Sequence, residues 1–171
     1  MLRGDLEDAI HLYNMGLKYQ QHGEWVQSTS TILGRFLDGI IAFTCAQKHD
    51  SDEEYWTNIG LASIEKLHKW AKSNEWNFSH KLYLLEAERH VLQCSDEQAV
   101  QMYTLAITTA RNHRHIHEEG LALERAGCYH GRRGRPDSAL RCFLAAKECY
   151  DRWGARSGTE RMSAKCRQLS R

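Results

Sequence analysis

The sequence predicts an all-α fold: about eight helices arranged as stacked antiparallel hairpins in a single domain spanning 1–171. Three observations lead there. The chain of 171 residues has one proline, a residue that removes a backbone donor and clashes with the preceding turn in a helix interior. Apolar residues recur at three- and four-residue spacing along nearly its whole length. Small residues repeat at fixed offsets on either side of short polar turns, as closely packed helix backbones require.

Taken in order, the first helix runs from about Asp5 to Gln21, after a Gly4-Asp5 start signal, with Leu6, Ala9, Ile10, Tyr13 and Leu17 on one stripe and His22-Gly23 ending it. The second begins near Glu24-Trp25. Its broad apolar face (Val26, Ile32, Leu33, Phe36, Leu37, Ile40, Ile41, Phe43) predicts burial on more than one side, and Gly34 and Gly39 are places where it could break. The polar run Lys48 to Asp52 precedes a third helix over about 53–72, with Tyr55, Trp56, Ile59, Leu67 and Trp70 facing inward. A linker over 73–77 leads to a fourth helix from Ser79 to Leu92, and Ser95-Asp96 caps a fifth that reaches about Arg111. The sixth covers 116–132. The seventh covers 136–152, with Pro136 as first helical residue. A last helix within 155–169 carries Met162, Cys166 and Leu169 and caps the stack.

Two segments repeat clearly, 80–112 and 116–152. Ala87 stands for Gly127, Ala99 for Ala139, Tyr103 for Phe143 and Ala106 for Ala146, while His90 and His130 coincide. An eroded hairpin covers 5–47, with Gly16, Tyr19 and Gly23 in equivalent places; the helix over 53–72 is left without a partner. This spacing is the logic of a tetratricopeptide-type (TPR-like) repeat, in which a hairpin cannot bury its apolar face alone and must stack on its neighbours.

Composition is that of an ordinary globular domain, 42% hydrophobic and 26% charged. The net charge of +1 gives no overall pull toward nucleic acid or membrane. The charge is unevenly spread, however: from Arg132 onward there are 11 Lys/Arg against 4 Asp/Glu, which leaves −6 on the first 131 residues. That basic end is either a solvated cationic face or a surface for an acidic partner. Six cysteines without a CxxC pair, and a start that runs from Met1-Leu2-Arg3 into Asp5 and Glu7 rather than into an apolar leader, suggest reduced thiols in a cytoplasmic protein. No apolar run approaches the roughly 18 residues of a membrane span.

Several stretches carry a resemblance. Gly4-Asp5-Leu6-Glu7-Asp8-Ala9, Lys69-Trp70-Ala71-Lys72 with Asn77-Phe78, Leu84-Leu85-Glu86-Ala87-Glu88, Glu118-Glu119-Gly120-Leu121-Ala122 and Tyr150-Asp151-Arg152-Trp153-Gly154-Ala155 are similar to the TPR-like helical region of very large signalling proteins. Those proteins combine a protein-kinase-like domain, an AAA-type ATPase, a GAF domain and often a histidine kinase. The resemblance covers most of residues 4–160 and is weakest over about 31–55. It implies an interaction and relay segment, standing alone or within a longer chain. It does not bring the family's catalysis, since no GxxxxGK[ST], HRD or DFG motif is present.

No nucleophile, base and orienting group fall together in the pattern, so no catalytic residue and no cofactor is assigned. Counting outward from the small residues places Asn14, Lys81, Glu88, Glu124, Arg125 and Arg132 on a groove that would hold a protein or peptide segment by charge-assisted hydrogen bonds. The alternative is a metal- or ligand-sensing helical domain built on His113, His115 and His117. His113 and His117 are four apart and would share one face of a helix. Glu118 and Glu119 read as solvated first-turn acids, Trp56, Trp70 and Trp153 as core, and Trp25 and Trp76 as helix-start residues that staple or contact. The expected function is therefore non-catalytic protein–protein interaction, or self-association as a homo-oligomer, without nucleic acid or membrane.

Overall fold

A computed structural model describes residues 29–48 and 52–169, together with the single position 11. The expected helix over 5–21, Asn14 and Trp25 lie outside the described residues. Within them are seven helices and no strand: α1 Thr29–Ala46, α2 Glu53–Ser73, α3 Glu75–Leu92, α4 Asp96–Asn112, α5 Ile116–Arg132, α6 Pro136–Trp153 and α7 Arg156–Leu169. Each packs on the next, and connections this short make neighbours antiparallel. Alternate helices also touch, α1 with α3 and α3 with α5.

The turns are built on a twenty-residue period. Cys94, Arg114, Gly134 and Gly154 all have positive φ, at 55°, 61°, 67° and 81°. After each, the next amide donates to the carbonyl five residues back: Ser95 to His90, His115 to Ala110, Arg135 to His130 and Ala155 to Tyr150. That bond satisfies an otherwise orphaned helix-end carbonyl and ends each helix at the same point.

The small residues sit where backbones meet. A Cβ on Gly127 would lie 2.6 Å from the Phe143 ring, and one on Gly60 would lie 2.6 Å from the Phe43 ring. The wedge predicted for α5 and α6 thus recurs between α1 and α2. Phe36, Ile40, Phe43, Leu67, Leu84, Leu85, Tyr103 and Tyr129 form one buried cluster, and Phe143, Tyr150 and Met162 belong to a second that α7 closes, with Cys166 and Leu169 packed against it.

Three expectations change. The helix over 53–73 has a partner, because α1 runs unbroken through Gly34 and Gly39 and packs along it; close approach, and not bending, is what Gly39 provides, its Cβ direction pointing at Leu85 and Ser63. The linker read over 73–77 shrinks to Asn74, whose side chain accepts from the Asn77 amide at 3.2 Å and starts α3 at Glu75. Trp153 is not core: it is 54% exposed, being the last residue of α6. The broad apolar face of α1 is buried against both α2 and α3, although Leu33 and Leu37 remain exposed.

Candidate interaction site

The charged residues singled out on alternate helices are brought together, and the pairing has a constant offset. Lys81 Nζ lies 2.8 Å from Glu118 Oε1. Arg125 grips Glu88 with Nε and Nη2, both at 2.7 Å. Arg161 grips Glu124 in the same two-pronged way at 2.9 and 2.8 Å. Lys165 Nζ reaches Cys128 Sγ at 3.2 Å, and the His113 ring stacks on Trp76 with centroids 4.1 Å apart. In every case the partners are 37 residues apart in the chain. The 40-residue repeat, less about one helical turn of axial shift, sets that separation. The result is a seam running along α3 and α5, continued between α5 and α7.

Glu88 is the most enclosed member, with no exposed surface. Besides Arg125, its carboxylate accepts from the Tyr103 hydroxyl at 2.8 Å and from Gln47 Nε2 at 2.8 Å. Arg132 donates to the other side of Gln47 at 3.0 Å. Burial alone would raise the Glu88 carboxyl, but the Arg125 charge and these donors outweigh it and hold it below the usual carboxylate range. Glu124 repeats the arrangement with Arg161 and the Tyr150 hydroxyl at 2.9 Å, and its carboxyl is likewise held low against the pull of burial. Glu118 and Glu119 are buried rather than solvated: Glu118 by Lys81, Glu119 by Arg111 Nε at 2.8 Å. Against the opposing effect of burial, the Lys81 ammonium at 2.8 Å and the nearby His80 ring take the Glu118 carboxyl down to about 2.

In the arginine–glutamate pairs the acid lies beneath and the base lies outside, whereas Lys81 and Glu118 are equally covered. The Arg125 side chain is 15% exposed over a Glu88 that is fully covered, and Arg161 is 43% exposed over Glu124 at 12%. Arg132 is exposed outright. Of the six expected groove residues, Lys81, Glu88 and Glu124 are buried, Arg125 is partly covered, Arg132 is open, and Asn14 is outside the described residues.

At the other end of the seam the histidines divide. His113 follows α4, Arg114 turns the chain with positive φ and His117 falls in the first turn of α5. His113 and His117 therefore do not share one helix face. His113 accompanies Trp76, whereas His117 stacks on Trp153 with centroids 5.1 Å apart and lies against Glu118 Oε2. His115 instead stacks on His80, centroids 4.5 Å apart. The indoles of Trp76 and Trp153, 55% and 54% exposed, thus flank the 113–117 turn.

Burial pushes the Cys149 thiol up to about 11 and raises that of Cys142. Cys45 is buried as well. No helix among the described residues is long and apolar enough to cross a membrane.

The ladder at offset 37 had a signal in the sequence: 81/118, 88/125 and 124/161 are each opposite in charge. His80 had none. No family model matches this chain, and neither a curated protein nor a solved structure is significantly similar to it.

Proposed function

We propose that the chain is a non-catalytic protein–protein interaction module, a TPR-like stack of helical hairpins whose first helices present a groove to an acidic segment of a partner protein or of a longer signalling chain. One observation carries the reading. The seam buries its carboxylates beneath guanidinium groups, so Arg125 and Arg161 offer preorganised, planar donors with their own acids already fixed behind them, and the exposed Arg132 is held by the Gln47 amide oxygen. Side chains locked by intramolecular bonds lose little entropy when a partner arrives. The basic balance of the C-terminal third favours the same class of partner.

Trp76 and Trp153 support the reading from the other end. Half-exposed tryptophans held by ring stacking are typical anchors of interaction surfaces, because they supply large contact area without much loss of side-chain freedom. The resemblance to helical relay regions of signalling proteins, read from Tyr150 to Ala155 above all, points in the same direction, to a cytoplasmic scaffold.

The test is capture of partners by immobilised protein, followed by affinity measurement with the captured segment. Arg132→Glu should weaken binding tenfold or more, with the circular dichroism spectrum and melting temperature unchanged. Unaltered affinity in Arg132→Glu and Arg161→Glu would remove the groove from the proposal.

A further inference from the structure

Buried in the seam is a group of side chains that the interaction reading does not use. His80 on α3, His115 at the start of α5 and Glu118 in its first turn each bring a ligand-type atom within 4.8 Å of the others. His80 is 2% exposed and Glu118 6%. Three further facts mark the cluster as suited to a cation. His115 Nε2 is buried and has no hydrogen-bond partner, an arrangement that costs stability unless something else engages it. The Lys81 ammonium already sits in the cluster, 2.9 Å from His80 Nε2 and 2.8 Å from Glu118 Oε1. His117 lies against the second Glu118 oxygen from the half-exposed side, giving a route in and a further imidazole.

We propose that His80, His115 and Glu118 form a site for a divalent late-transition metal ion such as Zn²⁺, Ni²⁺ or Co²⁺, and that Lys81 is the chain's own cation holding that place. Two imidazoles and one carboxylate, with a fourth position for water or His117, are the ligand set these borderline ions take. Bonds of about 2.0–2.1 Å require the donor atoms to draw in by roughly an ångström. Side-chain rotation supplies this once the Lys81 stem swings its ammonium outward. Deep burial favours neutral imidazole at His80, the form that ligates. The ion would bridge α3 and α5 at the place where Lys81 and Glu118 bridge them now.

The competing ammonium makes the proposal testable in both directions. Titration of the full chain with ZnCl₂ and NiCl₂ by calorimetry should give one ion per chain and a rise in melting temperature that EDTA reverses. Co²⁺ should give intense visible absorption bands of a four-coordinate site. His115→Ala and Glu118→Gln should each weaken binding tenfold or more, His113→Ala should leave it unchanged, and Lys81→Met should strengthen it tenfold or more. If His115→Ala or Glu118→Gln fails to fold, the Co²⁺ spectrum of the wild type and the gain in Lys81→Met still decide. The absence of saturable binding in both wild type and Lys81→Met, or binding by surface histidines only, with His115→Ala unaffected, would overturn it.

Discussion

Replacing Arg125 by Met tests the seam most severely. The substitution keeps the apolar stem and removes two charged donors, both 2.7 Å from a carboxylate that has no exposed surface. Glu88 keeps only the neutral donors of Tyr103 and Gln47. Removing one partner of a buried pair costs about 3–5 kcal/mol, because the remaining charge is left without compensation. A domain of this size has a total stability of roughly 5–15 kcal/mol, so the loss is a large share of it. Urea unfolding followed by circular dichroism at 222 nm reads the change as a lower midpoint at constant slope. Glu88→Leu combined with Arg125→Met should recover most of the loss, since two apolar side chains remove both charges together. The internal control is Glu65→Ala, which breaks the Lys69–Glu65 pair in which both side chains are 68% exposed; water already solvates both charges there, so that change should cost far less than Arg125→Met. If Arg125→Met costs no more than Glu65→Ala, the pair does not hold α3 to α5 and the reasoning is refuted.

Three further predictions follow from the same geometry. Arg161→Met should destabilise less than Arg125→Met, because Arg161 is 43% exposed and water can solvate the Glu124 it leaves; equal losses in urea titrations would contradict this. Arg114→Gly should raise stability by about 0.5–1 kcal/mol, read as a higher melting temperature, since glycine adopts the observed φ of 61° without the steric cost arginine bears there. Finally, with EDTA present, stability should fall as pH drops from 6.5 toward 4. His80, faced by Lys81, Glu118 and His115, is pushed down to about 4, chiefly by burial, so the unfolded chain takes up a proton in that window and the folded one does not; this amounts to about 3 kcal/mol, and His80→Leu should flatten the slope. The carboxyls of Glu88, Glu118 and Glu124 act at lower pH: held below 4.5, they stabilise the fold above that value and lose the contribution as pH falls through their depressed range.

What the sequence made legible was whatever repeats locally. Gly127 against Phe143 is a contact between adjacent helices, and the offset of small and large residues encodes it directly. Pro136 and the glycines at 134 and 154 announce turns because their backbone preferences act within a few residues. The matching turns at Cys94 and Arg114 are silent, since the fold imposes positive φ on residues that do not prefer it. Asn74 was missed as a cap because Trp76 and Asn77 look like linker residues when the neighbouring helix is unknown. The seam was the hardest part to read. The expectation of one open groove surface through Lys81, Glu88, Arg125 and Glu124 does not foresee that Lys81, Glu88 and Glu124 are buried in pairs, because the pairing depends on the axial shift between α3, α5 and α7, a tertiary quantity. For the same reason the sequence presents Glu118 as a solvated acid although Lys81 faces it, and Trp153 as a core residue although it ends α6 in solvent.

Site-specific photo-crosslinking tests the central claim most directly. A photoreactive residue is placed in turn at positions 76, 132 and 153 on the proposed interaction side, and at position 144, where Leu144 is 51% exposed on the second helix of a hairpin. An interaction module that uses the seam predicts a discrete protein adduct from 76, 132 and 153, identified by mass as another protein or a second copy of the chain, and none from 144. Adducts of equal yield from all four positions, or from 144 alone, would contradict it.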